Sequence, residues 1–354
     1  MRTKALVTLS LLFIPLSPFF ILPASRVSAH EVYVLTPQEI AQAVSMPSPN
    51  PFSVIPLQEL RFLIWGAAFA VLALVSVAFS VSTLFERVLD PLLLKLKKYA
   101  PLAGRLTLGG SLLFSGWHHG LFGPELPLSG FAGSFAGPLS VILLVLGALV
   151  IVGFLTRPAA LAGIGLFIWS VVAYHLYMLT YVNYLGEMIL VLILGGGMLS
   201  IDGAIPALGG VEKAFAGLKE RFEPYAFLIL RILFGTAVFF ASFYAKFLHS
   251  NLALDTVADY HLTSYFHFTP LFLVLGAFIV EALLGLCFAL GFEVRLAALV
   301  FTFFLTLSIL FFGEAVWPHL ILFGVNIALF LHGYDKYTLE AALFERKRHG
   351  EPIF

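Results

Sequence analysis

GLCFALGFEVRLAA, residues 285–298, restates GALVIVGFLTRPAA, residues 147–160. Both read Gly-x5-Gly-Phe-x2-Arg-x-Ala-Ala, and both are flanked by apolar runs. Small residues at this spacing let helices approach closely in lipid. The arginine that follows, Arg157 or Arg295, caps the turn and anchors the head-group zone. Upstream, Arg105-Leu-Thr-Leu-Gly109 is echoed by Arg231-Ile-Leu-Phe-Gly235. The ends match more weakly, Ile201-Asp202-Gly203 against Tyr334-Asp335-Lys336. The chain is therefore read as a duplication of a four-helix unit. Four is even, so both copies insert the same way up, as parallel repeats about an axis along the membrane normal. Arg105, Arg157, Arg231, Arg295, Gly153 and Gly291 are its structural and orienting residues.

Composition agrees. Of 354 residues 60% are hydrophobic and 11% charged, with a mean hydropathy of +0.99. Soluble domains carry about 25% charged residues, so this is an all-α membrane protein. Twenty basic and twenty acidic residues cancel, which leaves nucleic-acid binding without an electrostatic basis. The single cysteine, Cys287, excludes disulfide frameworks and thiol relays. No P-loop or dinucleotide fingerprint is present, so the chain has no ATPase of its own.

Residues 1–29 read as a cleaved signal peptide: Arg2 and Lys4, an apolar run, then Val27-Ser28-Ala29. The rival is an uncleaved anchor, which Pro15, Pro18 and Pro23 weaken. Residues 30–57 form an extracytoplasmic segment with a short helix over 37–44. About nine spans follow, near 60–84, 105–122, 138–155, 159–179, 184–201, 225–248, 270–290, 296–313 and 319–333, each close to the ~20 residues a bilayer requires. In domain terms these are a lead-in helix (58–84), a basic cytoplasmic loop (85–104), the first unit (105–203), a cytoplasmic linker (204–224), the second unit (225–335) and a cytoplasmic tail (336–354). With the mature N-terminus outside, fifteen basic residues face the cytoplasm against two, Arg61 and Lys246, near the outer face. That bias places the protein in the plasma membrane with its N-terminus extracytoplasmic and its C-terminus cytoplasmic.

The second unit, with Arg231, Gly235, Lys246, then Glu281-x3-Gly285-x5-Gly291-Phe292-x2-Arg295-x-Ala297-Ala298, resembles the DoxX/DoxD-like membrane proteins. The resemblance covers 225–335 well and 105–203 more loosely. It implies a four-helix fold and, through members that accompany or form the membrane subunit of thiosulfate:quinone oxidoreductase, a quinone-linked redox role. The first unit departs from the pattern. Leu143 stands where the second has Glu281, and Gly120 where it has Lys246.

Glu281 lies 11 residues past Pro270, about 16 Å into the membrane. A carboxylate at that depth faces the bundle and has a partner. It is either a proton acceptor for a quinol or polar substrate, or a helix-packing acid bonded to Asn326, Thr302 or Thr306. Because Leu143 fills the matching place, Glu281→Gln is expected to leave folding unchanged. Lys246 binds an anion, pairs with Asp255 or Asp259, or snorkels to the interface. Eight of ten histidines fall toward the outer face on this topology. His118 or His119, His175 and His319 come from three separate spans and could converge on a metal or haem. Against that, no His-Glu-x-x-His spacing occurs, and interfacial histidines among Trp117, Tyr174, Tyr177, Tyr181 and Trp317 also form amphipathic belts.

Three functions follow. One is a redox-associated protein exchanging electrons or protons between quinone and an extracytoplasmic donor. Another is a scaffold whose segments 30–57 and 249–269 dock an extracytoplasmic protein partner. The third is a small-solute transporter with its cavity near Glu281. The topology is directly testable. With Cys287 replaced, an impermeant thiol reagent on intact cells should label Gly130→Cys and not Ala216→Cys; the reverse pattern would overturn the orientation.

Overall fold

The computed structural model describes residues 35–80, 90–204, 213–312 and 317–343. The signal peptide and the basic cluster 346–348 lie outside the described residues. No strand is present among them, only an isolated bridge between Gly120 and Pro127. The short helix expected over 37–44 is α1, Pro37–Ser45, with a capping box between Thr36 and Glu39. The lead-in helix is α2, Glu59–Ser80. Then come α3 (Ala100–Trp117), α4 (Ala136–Val152), α5 (Thr156–Tyr174) and α6 (Val182–Leu194). The second half holds α7 (Ala226–Ser242), α8 (Ser250–Asp259), α9 (Pro270–Leu290), α10 (Val294–Phe312) and α11 (Trp317–His332).

Six helical stretches are long and apolar enough to cross a membrane, and one of them, Thr156–Leu194, runs through both α5 and α6. The expectation of nine spans is not met by that measure. The shortfall sits in α3, α6 and α11, which are short or carry Arg105, Thr107, Ser111, Asn183, Glu187, His319 and Asn326, all buried. These three helices pack against protein rather than lipid, so their sequences need not be uniformly apolar. Conversely, α2 is apolar throughout and none of its span is buried. Its N-terminal end meets the bundle, through Gln58 Nε2, just before the helix, donating to Thr269 Oγ1 (2.7 Å) and Trp65 edge-on to Phe268.

The bundle assembles in a reciprocal way. Within the halves, α3 packs on α4 and α7 on α9, while α5 packs on α6 and α10 on α11. Across them, α3 meets α11 and α6 meets α7. First helix on last helix, twice, is the pattern that a two-fold axis generates. Glycines set the closest approaches. A Cβ on Gly109, Gly147, Gly235 or Gly285 would come within 3.0 Å of a carbonyl oxygen on the facing helix, in the pairs Gly109–Gly147 and Gly235–Gly285. Those backbones are in contact because no side chain stands between them.

At the far end from Lys246, the arginines hold the turns. Gly153 and Gly291 are left-handed (φ 69° and 71°) and close α4 and α9. Arg157 Nε donates to Leu192 O and Arg295 Nε to Phe330 O, each at 3.2 Å. Arg105 donates to the carbonyls of Gly196, Met198 and Leu199, and Arg231 to that of Tyr337. A cation laid on the last carbonyls of a helix satisfies orphan acceptors and opposes the helix dipole. All four arginines are buried, 2–7% exposed. They cap turns as expected, with backbone carbonyls inside the protein as their partners.

The weak match at the ends is corrected as well. Asp202 caps α5, accepting from Leu155 N (2.7 Å) and Thr156 N (3.0 Å), while its own N–H donates to Gly153 O. Glu340 does the same for α10, accepting from Val294 N (3.3 Å) and donating to Gly291 O. The counterpart of Asp202 is thus Glu340, not Asp335, and the second half runs past 335. Gly235→Ala and Gly285→Ala should each lower the thermal midpoint in detergent, at a cost of about 1–3 kcal/mol. Gly276→Ala, where nothing lies within 4 Å, should leave it unchanged.

Candidate functional site

Beyond α7 the backbone widens into a π-helical turn, Phe243–Leu248. Such turns re-aim side chains and recur at functional sites. This one turns Lys246 inward, to 4% exposure, so it does not snorkel. Its Nζ lies 2.9 Å from Glu281 Oε2 on α9. The two candidates read separately from the sequence are therefore partners, and Asn326, Thr302 and Thr306 do not serve Glu281. Asn326 and Thr306 donate instead to the carbonyls one turn back, Leu322 O and Thr302 O.

The pair stands in the wall of a cavity of about 630 Å³, within the range of small-molecule sites. Its lining is mainly aliphatic and aromatic. Phe301, Phe304, Phe311 and Phe312 come from α10, and Tyr177, Tyr181 and Tyr184 from the start of α6 and the turn before it. Polar groups are few: Lys246, Glu281, His319, Asn183 and some hydroxyls. The side chain of Glu281 is 32% exposed and that of Lys246 5%, so the carboxylate is the member of the pair a ligand can reach. Tyr177 and Tyr181 donate to Glu125 Oε1, which fixes both rings.

The Lys246 end is covered by the chain's own N-terminal segment. Leu35 and Ala43 pack with Ala245 and Leu252. Asn251 Nδ2 donates to the carbonyls of Ala43, Met46 and Pro47, and Ser250 Oγ to that of Pro49 (2.6 Å). The two stretches expected to dock a partner thus cover each other. On α8, Asp255 lies near Asp259 and Glu39; burial, then those two carboxylates, push its carboxyl above the usual range.

The four outer histidines are not brought together. His319 is buried in the cavity wall. His118 stacks on Trp317 (5.1 Å, 2° between planes). His119 and His175 are exposed and left-handed, φ 53° and 50°, in a region histidine enters more readily than most residues. Among the described residues no group of three or more His, Cys, Asp or Glu is placed to hold a metal ion. The sequence places Glu187 only among the acidic residues toward the outer face, beside the histidines. It is fully buried on α6, and its place near a span end in the linear sequence gave no sign that two helices would close over it.

Fold and site together define a multi-pass helical membrane protein with a largely apolar cavity that has the Lys246–Glu281 ion pair in its wall. Residues 226–314, from α7 through α10 and including Lys246 and Glu281, match the DoxX family model. No curated protein and no solved structure matches the chain.

The pairing changes the expectation for Glu281→Gln. That substitution strands a buried ammonium, and breaking a buried pair costs about 3–5 kcal/mol. Partial exposure of Glu281 reduces this, and about 2 kcal/mol of lost stability is expected for either Glu281→Gln or Lys246→Met alone. The double variant Lys246→Met/Glu281→Leu should recover the wild-type melting midpoint, since apolar replacement of a whole buried pair is often neutral. Non-recovery would show that the two residues are held by separate partners.

Proposed function

We propose that the cavity binds a quinone head group, and that the protein takes part in quinone-linked oxidation of a small extracytoplasmic donor, either itself or as the membrane subunit of a complex. The observation that carries this reading is the 2.9 Å Lys246–Glu281 pair in the wall of an otherwise apolar, aromatic cavity. A quinone is a flat ring with an oxygen at each end and an apolar tail. It needs ring-stacking surface, a hydrogen-bond donor for one oxygen and a group that exchanges protons. Aromatic lining, the Lys246 ammonium and the Glu281 carboxylate supply these in turn. Reduction takes two electrons and two protons to give quinol. The electrons come from the donor, because the chain has no redox carrier of its own beyond the quinone.

The rest of the reading follows the same frame. The bundle is two parallel four-helix units behind the lead-in helix, preceded by a cleaved signal peptide. Its Lys246 end faces out of the cytoplasm, with the N-terminus there and the C-terminal tail inside. The scaffold reading loses support because segments 35–57 and 250–259 are engaged with each other. Transport of a polar solute fits poorly with a lining so largely apolar.

Purified protein should retain quinone extractable by organic solvent at up to one per chain. A short-chain benzoquinone titrated into quinone-depleted protein should quench its tyrosine and tryptophan fluorescence saturably. Lys246→Met/Glu281→Leu, if it folds as expected, should lose at least tenfold in affinity. Absence of both extractable quinone and quenching would overturn the proposal.

A further inference from the structure

On α6, Asn183 and Glu187 stand one helical turn apart and share a face. They are 2% and 0% exposed. That face meets α3, where Thr107 Oγ1 lies 3.3 Å from Glu187 Oε1. Thr107 has one hydrogen, and Ala103 O is its closer acceptor at 2.9 Å. With that hydrogen engaged, the threonine oxygen is free to accept, so a protonated Glu187 has an acceptor in Thr107. The hydroxyl of Ser111, one turn along α3, is engaged likewise, donating to Trp317 O at 3.0 Å. Among the described residues Glu187 has no cationic partner, and its second oxygen, Oε2, is buried without a hydrogen bond. A lone carboxylate in such a place carries a heavy desolvation cost; a carboxylic acid does not.

Asn183 connects this acid to the cavity, which it lines together with Tyr184. Its Oδ1 is also buried without a partner. Residues four apart on a helix are separated by about 6 Å of rise, so Glu187 stands one turn beyond the cavity-lining Asn183. The cavity, Asn183 and Glu187 thus form a polar spur into the seam between the two halves.

We infer that Glu187 is a proton store for the cavity: a neutral carboxylic acid that delivers its proton to the bound ligand past Asn183. The inference rests on the quinone reading. When donor electrons reduce the quinone, the O–H bond of Glu187 breaks and an O–H bond forms on one quinone oxygen. The other proton leaves the Lys246 ammonium and reaches the second quinone oxygen through the Glu281 carboxylate 2.9 Å away, which ends ionised as it began. Two electrons and two protons give quinol, and solvent then reprotonates both Glu187 and Lys246.

Infrared spectroscopy of the full-length protein at neutral pH tests this. Wild type should show a carboxylic-acid carbonyl stretch that Glu187→Gln removes without lowering the melting midpoint, because the glutamine N–H can replace the O–H donated to Thr107. If Glu187→Gln does not fold, Thr107→Val should shift the same band. No such band, or a band that neither variant changes, overturns the inference. Time-resolved electrochemical reduction of an added short-chain benzoquinone should bleach the band transiently in wild type, before solvent reprotonates Glu187, and leave it unchanged throughout in Asn183→Leu. A band that never responds while fluorescence quenching shows the quinone bound makes Glu187 a structural acid and leaves the quinone reading standing. Absence of quenching sinks that reading and this inference together.

Discussion

Satisfaction of the helix ends inside an apolar bundle is the constraint on which the rest depends. Hydrocarbon offers no partner to the last carbonyls of a helix. Here Arg157 and Arg295 supply one for α6 and α11, each reaching across a turn whose glycine leaves room for the guanidinium: Gly195 lies 3.1 Å and Gly333 2.6 Å from it, measured from where a Cβ would stand. Because the cap is a side chain of the preceding helix, it fixes the end of α6 to the start of α5, and that of α11 to the start of α10. The two short helices can then sit at the centre, where they meet the first helix of the opposite half.

The two halves use the same frame and fill it differently. In the first, Phe122 is fully buried against Phe167 and Tyr184, and Tyr184 donates to its carbonyl. The register that pairs Gly153 with Gly291 and Arg157 with Arg295 sets Phe167 against Leu305, Tyr181 against His319, and Tyr184 against Leu322. All three counterparts line the cavity. The first half therefore has an aromatic plug where the second has space. Loop length explains the difference. The connection from α3 to α4 folds inward through Leu121, Phe122, Leu126 and Leu128, all buried. The longer one from α7 to α9 builds α8 over the opening and is held off by the N-terminal segment. Gly120 and Leu143, in place of Lys246 and Glu281, agree with a half that holds no ligand. At Gly120 even a Cβ would meet the Trp317 ring at 2.7 Å.

What could be read from the sequence was what depends on period and composition. The Gly-x5-Gly-Phe-x2-Arg pattern carried the helix turns, the close approaches and the caps, since each is a local requirement written in one or two residue types. Glu281 and Lys246 were visible as charges in apolar runs. Their pairing was not, because it depends on a π-helical turn that an ordinary helical count misses by one residue. The histidines misled for the opposite reason. Proximity to the same end of several spans says nothing about direction, and His118 and His175 point to a stacking partner and to open surface. The burial of Glu187 was hidden because closure of its helix by two others is a tertiary fact, invisible in the linear sequence.

The π-helical turn also ties the site to a part of the chain far from it in sequence. One extra residue per turn is a locally poor arrangement and persists only where surrounding contacts favour it. Two such contacts brace it. Ala245, beside Lys246, is buried against Leu35 and Ala43, and Phe247 stacks on Phe278 and meets Phe52 edge-on. The segment before the first membrane helix therefore braces the turn from outside, while Glu281 receives the lysine from within. Deprived of that brace, the turn could relax to a regular helix, and a rotation of about 100° per residue would swing Lys246 off the carboxylate. The N-terminal segment is in this sense part of the cavity wall, although it contributes no side chain to the lining.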